Sequence, residues 1–78
     1  MPHHTIEQLP DGAINIDYMG IPMARFRASK STLHVNSALI ERLYVDVVSR
    51  PPGAPVSAAE AFAVTVYLAR HSIEEIEL

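Results

Sequence analysis

The sequence contains no cysteine, which excludes disulfide bonds and thiolate metal sites. It contains three glycines, which lie far apart at Gly12, Gly20 and Gly53, so there is no glycine-rich loop of the kind that binds phosphate. No apolar run approaches the roughly 20 residues that span a bilayer, and the first residues lack the basic start and apolar stretch of a signal peptide. These absences predict a cytoplasmic protein without a membrane segment.

Charge of both signs is scarce as well. Charged residues make up 19% of the chain and hydrophobic residues 49%, a composition typical of a folded protein rather than a disordered one. Nine acidic residues against six basic residues give a net charge of -3, which argues against a large surface for nucleic-acid phosphates.

The chain is small for an independent fold. At 78 residues it has room for one core, and a domain of this size buries only about 60% of its unfolded surface. Because disulfides are excluded, association with another subunit is the remaining common way to stabilise such a domain. We therefore expect a homodimer.

A β-meander is predicted over residues 12–36. After the turn signal Pro10-Asp11-Gly12, residues 13–18 alternate between apolar and polar as a half-buried strand does. Met19-Gly20 predicts a two-residue turn, and residues 21–28 then form the second strand. With Tyr18 opposite Ile21, Ile16 is expected to pair with Met23 and Ile14 with Arg25. The expected core face then carries Ile14, Ile16, Tyr18, Ile21 and Met23.

The sequence allows two registers for the third strand, residues 32–36. A three-residue loop before it places Leu33 and Val35 beside Met23, whereas a two-residue loop places them beside Ala24 and Phe26. The first register gathers more apolar residues and is favoured.

Two helices follow the predicted meander. The first spans residues 37–50, with Asn36 or Ser37 as N-cap, and the Pro-rich connector 51–56 ends it. The second spans 57–77: Ser57 and Glu60 form a capping-box pattern at its start, and Ile73 and Ile76 fall on the same helical side as Phe62 and Ala69. Residues 62–68 also alternate as a strand would, but the cap and five alanines favour helix.

The predicted fold is a single α+β domain over residues 1–78. It consists of an N-terminal segment 1–11 and a three-stranded antiparallel sheet of two hairpins, followed by two helices packed on one face of the sheet.

The second helix supplies the first candidate functional surface. Its apolar side is too wide for one small sheet to cover, which indicates a dimer or partner interface. The candidate interface residues are Phe62, Val66, Ala69, Ile73 and Ile76.

Charged residues supply two further candidates. Arg25, Arg27 and Lys30 could contact nucleic-acid phosphates, although three cations in an acidic protein are more typical of a solvated rim. Three acids crowd the predicted C-terminus of the second helix, where negative charge is disfavoured. This possible acidic handle for a basic partner consists of Glu74, Glu75 and Glu77.

No residues with a catalytic or metal-binding pattern are found. The four histidines, at positions 3, 4, 34 and 71, have no recognised ligand spacing. Pro2 resembles the processed N-terminal proline of small tautomerase-like proteins, a resemblance that implies a catalytic secondary amine. In those enzymes the proline leads directly into a strand, whereas His-His-Thr follows it here. We expect no enzymatic activity, cofactor or bound metal.

The functional hypothesis is therefore a small non-catalytic module that binds a protein partner, itself included. It would act as an inhibitor, neutraliser or adaptor, possible examples being phage-encoded anti-defence factors. The alternative hypothesis is a nucleic-acid-binding regulator that uses the basic cluster.

Overall fold

A five-stranded sheet with both helices on one face forms the structure, a computed structural model that describes residues 4–70, 72 and 75–78. The strands follow the chain in spatial order: β1 (His4–Gln8), β2 (Ile14–Tyr18), β3 (Ile21–Arg27), β4 (Thr32–Val35) and β5 (Glu75–Glu77). The helices α1 (Ser37–Val48) and α2 (Ala58–Ala69) connect β4 to β5. The predicted α+β class is confirmed, but the sheet has five strands where three were predicted.

The two additional strands lie at the ends of the chain. The segment 1–11 contains β1, which forms an antiparallel hairpin with β2 through the Pro10-Asp11-Gly12 turn. Gly12 has a φ of 87°, which a glycine adopts without strain, and its N–H donates to the Leu9 carbonyl at 2.9 Å. Asp11 accepts a hydrogen bond from the Ala13 N–H at 3.0 Å, which holds the turn.

The second helix is shorter than predicted. It ends at Ala69 rather than near residue 77, and the chain returns to the sheet as β5, parallel to β4. The Leu78 N–H donates to the Val35 carbonyl at 2.8 Å. The alternation of Glu75, Ile76 and Glu77 is therefore the period of a strand rather than part of an apolar helical face.

A β-bulge shifts the register between β2 and β3. Tyr18 lies opposite Ile21 as predicted, and the connecting turn has positive φ at Met19 (51°) and Gly20 (81°). Beyond the bulge Ile16 pairs with Ala24 rather than Met23, and Ile14 with Phe26 rather than Arg25. The bulge leaves both Met23 and Ala24 buried, so the predicted simple alternation is wrong there.

The third predicted strand adopts the register that was not favoured. In β4, Leu33 pairs with Phe26 and Val35 with Ala24. The connection is a single 3-10 turn over Ala28–Lys30, followed by Ser31 with a φ of 50°.

The core lies between the helices and one face of the sheet. Its largest fully buried side chains are Met23 and Val35. The rest of the buried hydrophobic cluster consists of Tyr18, Ala24, Leu39, Ile40, Leu43, Ala59, Ala63 and Val66. We call the opposite side the open face of the sheet; from β2 to β5 it carries Asn15, Asp17, Arg25, His34 and Ile76.

Candidate interaction surface on the second helix

The first turn of α2 is fixed by an ion pair and a reciprocal cap. The Ser57 hydroxyl accepts from the Glu60 N–H at 3.2 Å, and the Glu60 carboxylate accepts from the Ser57 N–H at 2.9 Å. Arg50 donates through Nη1 to Glu60 Oε1 at 3.0 Å and through Nη2 to Glu60 Oε2. The same guanidinium also donates to the Pro55 carbonyl at 3.0 Å. These contacts join the end of α1, the connector and the start of α2.

This arrangement stabilises the charged form of a buried carboxylate. Glu60 is only 7% exposed, and the hydrogen bonds from Arg50 and then from the Ser57 backbone lower its pKa to about 2. The Glu60 and Asp46 carboxylates in turn raise the pKa of Arg50. The bidentate contact satisfies the buried charge, as burial of a carboxylate requires.

The inward position of Glu60 leaves the solvent side of α2 without charge. Glu60 is the single charged residue among positions 58–69. Leu68 is 63% exposed, and the Thr65 hydroxyl donates to the Ala61 carbonyl at 2.8 Å, so its polar atom is engaged by its own helix. We call these exposed residues the outward face of α2: Ala58, Ala61, Thr65 and Leu68.

An apolar groove lies beside this face, between the first turn of α2 and the sheet. Its volume is about 210 Å³. Ile6, which is 65% exposed, and Phe62, which is half-buried, form parts of its wall. The remaining lining residues are His4, Ile16, Met23, Ala58 and Ala59.

The predicted interface residues do not form one exposed surface. Val66 is 5% exposed and belongs to the core, Phe62 packs against that core, and Ala69 is half-buried. Ile76 is in β5 on the open face, and Ile73 lies outside the described residues. The side of α2 that was predicted to form an interface therefore faces the core, where Ala63 and Val66 are buried.

The predicted basic cluster is placed on β3 and the following turn, with two of its cations engaged. Arg25 donates to the Asn15 side chain at 2.6 Å. Arg27 forms a salt bridge with Asp11, while Lys30 is exposed in the 3-10 turn. The Ala13 N–H and then Arg27 lower the pKa of Asp11. The local positive charge is thereby reduced.

The predicted acidic handle does not form the C-terminus of α2, which ends at Ala69. Glu75 and Glu77 belong to β5, and Glu74 lies outside the described residues. Glu77 accepts a hydrogen bond from the Ser37 hydroxyl at 2.6 Å, which ties β5 to the start of α1.

The candidate residues for catalysis or metal binding do not cluster in the part of the chain that the structure describes. His4 is in β1 and His34 in β4, whereas Pro2, His3 and His71 lie outside the described residues. Within residues 4–70, 72 and 75–78, no three His, Asp or Glu side chains come close enough to hold a metal ion.

Sequence reasoning missed an aromatic contact between the helices. The rings of Tyr44 and Tyr67 stack with centroids 3.9 Å apart, and the Arg70 guanidinium lies 4.3 Å from the centre of the Tyr67 ring. The three-residue spacing of Tyr67 and Arg70 is the signal that could have indicated the cation–π part.

None of the helices in the described part of the chain is long and apolar enough to cross a membrane. No protein-family model, curated protein sequence or solved structure matches this chain.

Proposed function

We propose that the protein is a non-catalytic interaction module that binds a protein partner through the outward face of α2. The observation that carries this proposal is the inward position of Glu60, which leaves Ala58, Ala61, Thr65 and Leu68 exposed and uncharged. Small side chains allow close approach of a partner helix or strand, and Leu68 supplies apolar area. Exposed apolar surface of this kind is typical of protein-binding sites.

The supporting features define the kind of partner. A surface without charge selects an apolar, shape-matched partner surface rather than an oppositely charged one. The cap and the Arg50–Glu60 pair hold the helix in place before binding, which lowers the entropic cost of association. A cytoplasmic inhibitor, neutraliser or adaptor, including one of phage anti-defence type, is the role that suits such a small preformed surface.

The direct test is site-specific photo-crosslinking in cells of the source organism. A benzophenone amino acid replaces Leu68 in one variant and Ser29, which is exposed in the turn after β3, in the control. We expect a discrete crosslinked protein with the first variant and none with the second. Absence of a crosslink at position 68, or the same products from both positions, would contradict the proposal.

A charge substitution tests the same surface in a second way. Leu68→Glu should abolish capture of the crosslinked partner by the purified protein while leaving its thermal unfolding unchanged, because Leu68 is 63% exposed. The matched control is Val45→Glu, which places the same charge on an exposed position of α1. Loss of capture by both variants would show that the effect is not specific to α2.

A further inference from the structure

The outer edge of β1 presents a row of backbone groups that no strand of the described sheet pairs with. The Leu9 N–H donates to the Ala13 carbonyl at 2.8 Å, so Leu9 directs its backbone groups toward β2. Because this direction alternates along an antiparallel strand, Thr5 and Glu7 also bond to β2, and His4, Ile6 and Gln8 direct theirs outward. In the described sheet no strand lies beyond β1.

The two edges of the sheet differ in their protection against pairing. The β5 edge has three residues, two of them glutamates, and short charged edges resist association. The β1 edge has five residues with one carboxylate, at Glu7, and its pairing with β2 contains no bulge. Ile6 is 65% exposed on the side of the sheet that carries the helices. By these criteria, the β1 edge is open to strand addition.

We propose that two copies of this chain associate by antiparallel pairing of their β1 strands across a two-fold axis at Ile6. Such pairing joins the two five-stranded sheets into one continuous sheet. The proposal is independent of the partner surface on α2, because Leu68 takes no part in it.

Hydrogen-bond direction and side-chain alternation both select this register. A two-fold axis normal to the sheet keeps the helices of both copies on the same side of the joined sheet. Even-numbered residues of β1 must therefore face even-numbered residues of the second copy, and odd-numbered residues must face odd-numbered ones. With Ile6 opposite Ile6 of the second copy, His4 lies opposite Gln8. The N–H and C=O groups of these residues point outward, so the pairs of Ile6 with Ile6 and of His4 with Gln8 each exchange two hydrogen bonds, and Thr5 and Glu7 form the non-hydrogen-bonded pairs between them.

Charge favours a second copy in the same register. Glu7 then lies opposite Thr5 of the other copy, and no two carboxylates face each other across the joint. Moving the strands so that the axis passes through Glu7 would place two carboxylates in direct opposition, which destabilises a strand pair. Moving the axis to Thr5 would leave Gln8 without a facing residue in β1.

Side-chain packing adds a reason for association. The two Ile6 side chains meet at the axis, on the face that carries the apolar groove with Phe62 in its wall. Pairing therefore brings the grooves of the two copies together and removes Ile6 from water, which is favourable for apolar surface.

Sedimentation equilibrium tests whether the dimer exists. Over a concentration range of roughly 1 µM to 1 mM, which spans weak and ordinary dimers, the mass should rise from 8.6 kDa to twice that value. Ile6→Lys, which places two cations together at the axis, should raise the dissociation constant by at least about tenfold. Leu68→Glu should leave it unchanged, so failure of this proposal is distinguishable from failure of the α2 surface.

Engineered cysteines test the register, because the chain has none of its own. An oxidised mixture of the Thr5→Cys and Glu7→Cys variants should give a disulfide-linked heterodimer. The two cysteines would face each other as a non-hydrogen-bonded pair, in which the Cα atoms are about 4.5 Å apart. Each variant alone should link poorly because its two copies are offset along the strands. A constant mass of one chain at all concentrations, or equal linking in every sample, would overturn the proposal.

Discussion

At the scale of single residues, Glu60 determines what α2 presents to solvent. Its carboxylate accepts hydrogen bonds from Arg50 and from the Ser57 backbone, so one side chain both caps the helix and holds the connector. An uncharged residue at this position would leave the Arg50 guanidinium without its main buried partner. The stability of the helix start and the apolar character of its outward face therefore depend on the same group.

Acid should weaken the fold through Glu60. The folded pKa of about 2 lies below the ordinary value of 4.5, so the ionised carboxylate contributes stability above pH 4.5. That contribution declines as the pH falls from 4.5 toward 2. We expect the free energy of unfolding, measured in urea across this range, to fall on acidification, with a smaller part of the loss from Asp11, whose pKa is also lowered.

Glu60→Gln should remove most of this acid dependence. At neutral pH the variant should lose about 2 kcal/mol of unfolding free energy, because a hydrogen-bonded charge pair becomes a neutral amide beside the guanidinium. Glu41→Gln is the matched control, since Glu41 is exposed on α1. If urea unfolding gives both variants the same acid dependence as the wild type, Glu60 does not carry the effect.

At the scale of elements, the sequence predicts where helices begin better than where they end. Ser57 caps α2 as expected, and Asn36, one of the two predicted candidates, caps α1, because a cap is a local contact between a side chain and an amide three residues on. The end of α2 depends on β4 offering a free edge, which is not a local property. The crowding of acids after position 73 was the available signal, since negative charge disfavours a helix C-terminus.

The periodicity of apolar residues could not predict the register of the sheet or the exposed side of α2. The bulge between β2 and β3 shifts by one residue every pair of these two strands that lies beyond it. No local sequence pattern at Met23 specifies the bulge. In α2 apolar residues occur on all sides, so periodicity could not tell the exposed side from the core side, and the predicted interface residues Phe62 and Val66 lie on the core side. The contact between Arg50 and Glu60, ten positions apart, determines that face.

The N-cap of α1 should contribute measurably to stability. Asn36 accepts a hydrogen bond from the Leu39 N–H at 3.2 Å and donates to the Pro22 carbonyl at 3.0 Å. Asn36→Ala should lower the unfolding free energy by about 1 kcal/mol, and Asn36→Ser should restore most of it because serine also caps helices. Urea unfolding measures both; equal stability of the alanine variant and the wild type would exclude a role for the cap.

Two substitutions in α2 test which side of the helix faces the core. Val66→Ala should cost about 2 kcal/mol, because Val66 is 5% exposed and loses two buried methyl groups. Leu68→Ala should change stability by less than about 0.5 kcal/mol, since Leu68 is largely exposed. Thermal and urea unfolding give the comparison, and the reverse order of costs would mean that the helix is turned the other way.

At the scale of the whole molecule, the fold is two layers with one side of the sheet open. Its extents are 40 × 32 × 18 Å, and the short dimension is that of one helix layer on one sheet. The open face carries both charge signs, with Asp17 and Arg25 on adjacent strands. Steering of a polyanion requires a surface with a positive electrostatic potential, and a surface that mixes both charge signs does not provide one.

Binding to nucleic acid should therefore be weak. Arg25 and Arg27 are engaged by Asn15 and Asp11, and the chain has a net charge of -3. In filter-binding titrations at about 50 and 200 mM salt, we expect dissociation constants for single- and double-stranded oligonucleotides weaker than about 100 µM. Asp11→Asn removes the acidic partner of Arg27 and serves as a control that should bind more tightly at low salt. Tight binding by the wild type that falls steeply with salt and is lost in Arg25→Ala would instead establish the basic cluster as a phosphate-binding site.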